Sequence, residues 1–298
     1  MNENTKIKNV AIVGGTHGNE LTGVNLYYNR TINPNLNFEQ TWVLANPRAV
    51  EADRRYMEKD LNRCFAIKDL NSDEQGYDQN RAREINKIIG PKENPKCQLT
   101  IDIHNSTANM GVTLIVSKLD AFMKWVLSGV LENEVDTKIY VMEEGDRLDL
   151  PYLPTLTPYD ICLEVGAQAH GILDSELYFK TKKALETMLL RVHQWNDGNS
   201  KPLNKEFPVY LHLENLDYPR NTDGSISGMI HSERQFNDYQ EVKKDDPLFI
   251  TFDKKILTWQ GTAKTPATQS VWPVFINEHA YYEKKLAMSL TQKKMIEF

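Results

Sequence analysis

Hydrophobic residues recur along the chain in two patterns, short continuous runs and positions three or four residues apart. The runs predict buried strands, whereas the wider spacing predicts helices that bury one face. The predicted strands cover residues 10–13, 40–45, 99–104, 112–117, 138–142 and 160–165. The predicted helices cover residues 21–29, 77–89, 119–132 and 174–195. Because strands and helices alternate over the first two thirds of the chain, we expect an α/β fold with a largely parallel sheet flanked by helices.

A polar, turn-rich segment at residues 197–202 interrupts this alternation and has the composition of a linker. Beyond it, apolar and polar residues alternate at 207–213, and short apolar runs follow at 247–252, 256–259 and 271–276. These patterns are typical of short strands joined by turns. We therefore predict two domains, a larger one at 1–204 and a smaller, β-rich one at 205–298.

The chain has 298 residues, of which 40% are hydrophobic, as expected for a globular protein with a large core. Its net charge is -6 and its basic residues are dispersed among acids, which argues against nucleic acid as a partner. No stretch approaches 18 apolar residues and the N-terminus lacks a signal-peptide pattern, so we expect a cytoplasmic protein that does not bind membranes. Cys64, Cys97 and Cys162 have no ligand spacing and are expected to be reduced thiols.

The strongest chemical signal is the segment GGTHGNE, which ends the first predicted strand and precedes the first predicted helix. Its His17 and Glu20 can face one point, and His104 closes the strand at 99–104. Ligands of α/β sheets collect at the carboxyl ends of strands. Two imidazoles and one carboxylate leave the fourth zinc position to a water molecule, whose pKa falls to about 7 in such sites. The pattern predicts one catalytic zinc ion per chain.

The alternative is chance proximity, because a histidine and a glutamate three residues apart are weak evidence in a chain with seven histidines. We expect ordinary surface or core roles for the histidines on the remaining predicted elements, His193, His212, His231 and His279. His170 stays open, because it follows Glu164 closely in a segment with candidate catalytic chemistry.

Residues 54–63 form a polar stretch that carries several cations and an amide. Such a stretch is usually a solvated charged loop. An enzyme that cleaves an amide beside a carboxylate, however, needs one cation for the developing oxyanion and a guanidinium for the carboxylate. Arg55, Asn62 and Arg63 could supply both functions.

Glu164 lies near the end of the otherwise apolar strand at 160–165. Burial raises the pKa of a carboxyl group, which suits a general base. A solvated strand tip and a structural ion pair are the alternatives. The segment 277–285, which contains Tyr281, has the pattern of an ordinary charged helix.

Several segments together resemble the aspartoacylase and succinylglutamate desuccinylase family. They follow the family's order over nearly the whole chain and are residues 14–23, 46–50, 60–63, 102–105, 109–111, 164–166, 217–220 and 281–285. The resemblance implies a zinc-carboxypeptidase-like catalytic domain, with a C-terminal β-rich domain that helps to wall the substrate channel. It also implies a zinc-dependent amidohydrolase that converts an N-acyl amino acid of the N-acetyl-L-aspartate type into a carboxylate and a free amino acid.

The resemblance also assigns roles to individual residues. The zinc ligands would be His17, Glu20 and His104. Glu164 would be the general base, and Arg55 would stabilise the oxyanion. The substrate-binding residues would be Asn62, Arg63, Tyr152 and Tyr281, and Asp102 is a candidate for orienting His104.

One departure affects the expected substrate. The family has a second substrate-binding arginine before the general-base strand, and Leu156 stands at that place in our alignment. We therefore expect N-acetylaspartate to be a modest substrate, unless Arg147 substitutes. The alternatives are a related deacylase with another acyl or side-chain preference, aminoacylase III-like or desuccinylase-like, and a zinc-binding sensor without turnover. A small N-acylated amino acid is the expected partner, with a homodimer as a further possibility.

Overall fold

The computed structural model describes residues 6–30, 35–133, 136–143 and 145–298. Its strands are β1 (Asn9–Gly14), β2 (Glu39–Leu44), β3 (Leu99–Asn105), β4 (Gly111–Val116), β5 (Thr137–Val141), β6 (Tyr159–Gly166), β7 (Glu206–Leu216), β8 (Gly228–Ile230), β9 (Pro247–Thr251), β10 (Ile256–Thr258) and β11 (Met288–Glu297). Its helices are α1 (Leu21–Tyr28), α2 (Pro47–Glu51), α3 (Ile67–Leu70), α4 (Tyr77–Ile89), α5 (Ala121–Asn133) and α6 (Ser175–Asn196). Short 3₁₀ helices cover Leu61–Arg63, Leu153–Leu156 and His279–Lys284.

Eight strands form one twisted sheet in the order β11-β7-β5-β4-β6-β3-β1-β2. The pairs β1–β2, β1–β3, β3–β6, β4–β5 and β5–β7 are parallel, whereas β4–β6 and β7–β11 are antiparallel. The predicted α/β fold with a largely parallel sheet is therefore confirmed. A second, antiparallel sheet of three strands, in the order β10-β9-β8, lies in the C-terminal part.

The C-terminal part also contributes to the main sheet. β7 pairs with β5, and β11 covers β7 over ten residues. β11 escapes prediction because it is an edge strand whose second half carries Lys293 and Lys294, so it lacks a continuous apolar run. The predicted strand at 271–276 is wrong. That segment makes only isolated bridges at Val271 and Val274, since Pro273 between them has no N–H to donate.

Apolar side chains pack on both faces of the main sheet. One cluster lies between the sheet and helices α1, α5 and α6, and a second lies on the side of α4. All seven residues of β3 are buried, as expected for a central parallel strand. No helix in the described part of the chain is long and apolar enough to cross a bilayer.

The turn from β1 to α1 depends on the absence of side chains at two glycines. Gly14 and Gly23 lie against each other, and a Cβ on Gly14 would come within 2.1 Å of the Gly23 carbonyl oxygen. Gly15 has a φ of 69°, in the left-handed region that glycine adopts without strain. This close contact fixes the direction in which the chain leaves β1, and hence where the next residues of the turn lie.

We expect Gly14→Ala to destabilise the fold by about 1–3 kcal/mol, because the added methyl group meets backbone that cannot move independently. Chemical denaturation followed by circular dichroism would measure the loss. Gly198→Ala is the control, since a Cβ there meets nothing within 4 Å and adds only the strain of a left-handed φ. Equal losses in the two variants would contradict the role of the Gly14–Gly23 contact.

Candidate active site

His17, Glu20 and His104 converge at the carboxyl edge of the sheet. His17 lies in the turn after β1, Glu20 immediately precedes α1, and His104 lies near the end of β3. The two Nδ1 atoms are 3.1 Å apart, and Glu20 oxygens lie 2.8 Å from His17 Nδ1 and 2.9 Å from His104 Nδ1. All three residues are at most 3% exposed. Over the described ranges, no other cluster of His, Cys, Asp or Glu has its ligand atoms placed to share a metal ion.

The outer nitrogens of both histidines meet carboxylates. His17 Nε2 lies 3.0 Å from Asp60 Oδ1, and His104 Nε2 lies 2.8 Å from Asp102 Oδ2. Asp102 in turn accepts a hydrogen bond from Thr16 Oγ1 at 2.7 Å. Metal-binding histidines commonly hold their second nitrogen in this way, which fixes the ring and leaves the other nitrogen for the metal. The donor set therefore fits zinc, with Nδ1 as the ligand atom of each histidine.

Glu20 is held in its ionised form. Burial alone would raise the pKa of Glu20, but the imidazoles of His17 and His104 hold it well below its usual range. The backbone N–H of Asn105 donates to Oε2 at 3.1 Å, and Arg55 Nη1 donates to Oε1 at 2.8 Å. A carboxylate that accepts bonds from this many donors is pre-organised as an anionic ligand.

Arg55 reaches the site from the polar segment 54–63. The sequence alone is compatible with either a solvated charged loop or a catalytic loop for this segment. The Arg55 guanidinium contacts Glu20 and lies 4.0 Å from Asp60 Oδ2. The buried carboxylate of Asp78 holds the backbone of this loop by accepting from Glu58 N at 2.7 Å and from Lys59 N at 3.1 Å. The loop is thus fixed by a buried anchor, and it presents Arg55 beside the ligand cluster.

Glu164 lies beside His104 in the register between β6 and β3. It is 8% exposed and makes no ion pair within the described residues, so the sequence-based alternatives of a solvated tip and a structural ion pair do not describe it. Burial, together with the carboxylates of Glu20 and Glu278, raises the pKa of Glu164 to about 8 against the influence of His104. A carboxyl group with a pKa near neutrality can both take and return a proton.

Arg63 projects into the same pocket, where Tyr152 and Asn62 also contribute to the lining. Its guanidinium carbon lies 4.9 Å from the centre of the Tyr152 ring, and Nη1 donates to the Asn62 carbonyl at 2.8 Å. No carboxylate of the described part of the chain lies within ion-pair distance of Arg63. A stacked guanidinium without an acidic partner is available for a carboxylate on a ligand.

Tyr281 enters from the C-terminal part on the 3₁₀ helix His279–Lys284, which replaces the longer charged helix that the pattern predicts. Glu278 caps that helix and anchors it by accepting bonds from Thr107 N and Ala108 N at 2.8 and 3.2 Å. Burial and the nearby Glu164 raise the pKa of Tyr281 well above its usual value, so its hydroxyl remains a donor. The structure therefore brings all the predicted site residues to one pocket, while their roles remain predictions.

The expectation about Leu156 needs correction. Its side chain is fully buried in the cluster beneath α4 and does not line the pocket, whereas Pro154 and Thr155 do. Arg147 does not take the place of the missing arginine. Its guanidinium donates to the carbonyls of Thr155, Leu156 and Lys92 at 2.8 to 3.2 Å and so holds this loop together. Arg55 and Arg63 are the only lysine or arginine residues among the described ones that line the pocket.

The other histidines have ordinary contacts. His193 accepts a bond from Asn37 N, and His231 accepts one from Glu233 N. His212 pairs with the Tyr140 hydroxyl at 2.7 Å. His170, which the sequence left open, stacks edge-on against His279 at 5.4 Å, and burial lowers its pKa. It does not line the pocket.

The sequence alone assigned no role to Asp60. Its carboxylate contacts the ring of His17, although the two residues are 43 positions apart in the sequence. Neither residue has a local spacing that indicates the other. The only signal was that Asp60 begins one of the segments shared with the family. The same carboxylate also accepts from Lys284 Nζ at 3.1 Å, which joins it to the C-terminal part.

We expect His104→Ala to lose bound zinc, because two ligands remain and one of them, Glu20, also pairs with Arg55. Metal content per chain after dialysis, measured by mass spectrometry, provides the readout. His231→Ala is the matched control and should keep wild-type metal content. Undiminished zinc in the His104 variant would show that the metal, if any, is held elsewhere.

We also expect Asp60→Asn to weaken zinc binding by roughly 10- to 100-fold, the usual effect of losing the carboxylate behind a ligand histidine. Competition against a chromophoric chelator measures this affinity. Asp223→Asn is the charge-matched control, because it removes an exposed carboxylate that is distant in sequence from the candidate ligands. An unchanged affinity in Asp60→Asn would mean that this carboxylate does not support His17 as a ligand.

Comparisons with known proteins identify relatives of one family. A family model described as the succinylglutamate desuccinylase/aspartoacylase catalytic domain matches residues 6–192, and one described as the AstE/AspA barrel-sandwich hybrid domain matches 205–293. A probable aspartoacylase of Trichodesmium erythraeum is 40% identical over 98% of this chain and 99% of its own. An N-acyl-aromatic-L-amino acid amidohydrolase (carboxylate-forming) of Xenopus laevis is 35% identical over 97% and 95% of the two chains.

A solved structure extends the likeness to the fold. The crystal structure of murine aminoacylase 3 aligns with a TM-score of 0.88 at 30% identity and covers 98% of this chain and 97% of that chain. The sequence and structure comparisons each cover 98% of this chain. The chain therefore belongs to the succinylglutamate desuccinylase/aspartoacylase family, as its motifs predict.

Proposed function

We propose that the protein is a zinc-dependent amidohydrolase that cleaves an N-acyl amino acid to a carboxylate and a free amino acid. One observation carries the proposal. A three-residue ligand cluster lines a pocket together with Glu164 and Arg63, and neither of these two side chains has an ion-pair partner among the described residues. Relatives named for aspartoacylase and N-acyl amino-acid amidohydrolase activity support the same reaction class.

His17, Glu20 and His104 would hold the zinc ion. When bound, zinc supplies Lewis acidity and makes a nucleophile available at neutral pH. The side chains around it would perform the proton transfers and position the substrate, and each has a contact that suits its task.

Glu164 would take a proton from the attacking water as the new C–O bond forms at the acyl carbon. It would then pass that proton to the amide nitrogen as the C–N bond breaks, so that the amine leaves neutral. Arg55, beside the ligand cluster, would donate to the oxyanion that develops on the acyl oxygen. Its pKa is raised by Glu20 and Asp60 against the effect of burial, so it stays charged throughout.

Arg63 and Asn62 would hold the α-carboxylate that N-acyl amino acids share. The stacking of Arg63 on Tyr152 fixes the plane of its guanidinium, and the Asn62 amide oxygen is fixed by Leu153 N at 2.8 Å. Tyr281 would donate its hydroxyl to the substrate from the 3₁₀ helix of the C-terminal part. Because the pocket has no third arginine in the described part of the chain, an aspartate-type side chain would lack a charge-assisted partner.

We expect Glu164→Gln to keep zinc and fold while losing roughly 100- to 10,000-fold in kcat, the range for a missing general acid/base. A panel of N-acetyl and N-succinyl amino acids, assayed on zinc-quantified protein, tests both the activity and this variant. Glu186→Gln, an exposed change on α6, is the control. Near wild-type turnover in Glu164→Gln would assign the base to another residue, and absence of hydrolysis across the whole panel would overturn the proposed function.

A further inference from the structure

The pocket continues beyond the ligand cluster along β6. Alternate residues of a strand face the same side, and Asp160, Cys162 and Glu164 all line the pocket. At about 3.3 Å per residue, the α-carbons of Asp160 and Glu164 are about 13 Å apart. Glu164 marks the end where the amide would be cleaved, so Asp160 marks the distal end.

Asp160 is a buried carboxylate at that distal end. It accepts hydrogen bonds from the backbone N–H of Ser117 at 3.1 Å and from the Ser117 hydroxyl. Within the described ranges, no lysine or arginine nitrogen lies at ion-pair distance from it. The charges of Lys118 and Arg147 act on Asp160 from a longer distance, and both side chains have other contacts. Lys118 lies 4.0 Å from the centre of the Tyr159 ring, and Arg147 donates to three carbonyls.

The wall between the two ends is apolar. Ile115 lies opposite Cys162 in the register between β4 and β6, halfway between Glu164 and Asp160. Met142 and Leu150 also line the pocket. A wall of this kind suits a chain of methylene groups, because apolar area removed from water on both sides favours binding.

We propose that Asp160 determines side-chain specificity by binding the ammonium or guanidinium group of a long basic side chain. The substrates would be Nα-acyl derivatives of lysine, ornithine or arginine. The inference rests on the proposed function, and it names the substrate class that the same pocket would take. A carboxylate that is already desolvated and has no cation at ion-pair distance is a site where a ligand cation adds a charge-assisted hydrogen bond at small further cost.

The length of the pocket favours such side chains. An extended chain advances about 3.8 Å over three bonds. The seven bonds from the acyl carbon to the lysine ε-nitrogen therefore span about 9 Å, which with a hydrogen bond of about 3 Å approaches the distance between the two ends. The five bonds to an aspartate carboxylate oxygen span only about 6 Å, so that charge would lie against the apolar wall.

Electrostatics point in the same direction. Burial raises the pKa of Asp160 above its usual value, against the two hydrogen bonds from Ser117 and the charges of Lys118 and Arg147. A second carboxylate brought to this end would be repelled or would have to be protonated, whereas a cation would favour the ionised form of Asp160. An acidic substrate side chain is therefore disfavoured by charge, and that of aspartate is also too short to reach Asp160.

The test compares kcat/KM of the zinc-loaded protein for Nα-acetyl-L-lysine, N-acetyl-L-norleucine and N-acetyl-L-aspartate. Norleucine matches the methylene chain of lysine without its ammonium group. We expect wild type to favour lysine over norleucine by roughly 10- to 100-fold, the effect of one charge-assisted hydrogen bond. Asp160→Asn, which keeps the shape and one of the two oxygens that accept from Ser117, should remove most of this preference and change the norleucine value by less than about threefold.

Asp149→Asn is the matched control, because it removes an exposed carboxylate from the neighbouring loop and should leave the preference intact. Equal wild-type values for lysine and norleucine, or an equal fall for both in Asp160→Asn, would overturn the inference. The wild-type comparison needs no variant and so does not depend on whether Asp160→Asn folds. If no N-acyl amino acid is hydrolysed, the proposed function fails, and dissociation constants of the same two ligands, measured by calorimetry, still decide the role of Asp160.

Discussion

The carboxylate of Glu20 is the contact on which the arrangement of the site depends. One oxygen meets His17 Nδ1 and Arg55 Nη1, and the other meets His104 Nδ1 and the N–H of Asn105. These partners come from the β1–α1 turn, from a loop and from β3, which are brought together by the parallel pairing of β1 with β3. The close approach of Gly14 and Gly23 holds the turn where His17 and Glu20 can contact His104. The geometry of the candidate ligands therefore depends directly on backbone packing.

The strand β6 performs a second organising task. Its central position in the sheet buries Glu164, and the strand's two-residue repeat puts Cys162 and Asp160 on the same face. Burial has different consequences at the two ends. At Glu164, burial and the carboxylates of Glu20 and Glu278 raise the pKa to about 8 against the influence of His104, whereas Asp160 accepts hydrogen bonds from Ser117. A single strand thus separates the position of proton transfer from the position that contacts the far end of a ligand.

Local patterns were sufficient for the parts of the fold that are locally determined. The runs that form β1, β3 and β6 are apolar and end at chemically distinctive residues, so both the strands and His17, His104 and Glu164 could be predicted. Long-range pairing was not predictable in the same way. β11 is recognisable only through its partner β7, and the proline in 271–276 blocks a strand that hydrophobicity alone favours.

Side-chain direction was the second limit of the sequence. Leu156 and Pro154 lie in the same short 3₁₀ helix, yet one points into the core and the other lines the pocket. An alignment that shifts by two residues therefore exchanges a core position for a pocket position. Arg147 gave the opposite error. Its charge suggested a ligand role, but its hydrogen bonds to three backbone carbonyls give it a structural one.

The balance of charge around the ligand cluster links these observations to metal binding. Three carboxylates, Glu20, Asp60 and Asp102, approach the two histidines. Among the described residues, the lysine or arginine side chains within 4.0 Å of any of them are Arg55 and Lys284. Burial of surplus negative charge is costly unless a cation neutralises it. Lys284 comes from the C-terminal part. Burial, together with the charge of Arg63, lowers its pKa to about 8, so Lys284 loses its positive charge in alkaline solution. Against the effect of burial, the carboxylates of Asp102 and Glu20 raise the pKa of His104 well above its usual value, so its imidazolium adds positive charge to the cluster. Under the proposed function, a divalent ion held by His17, Glu20 and His104 would supply that charge in place of the proton.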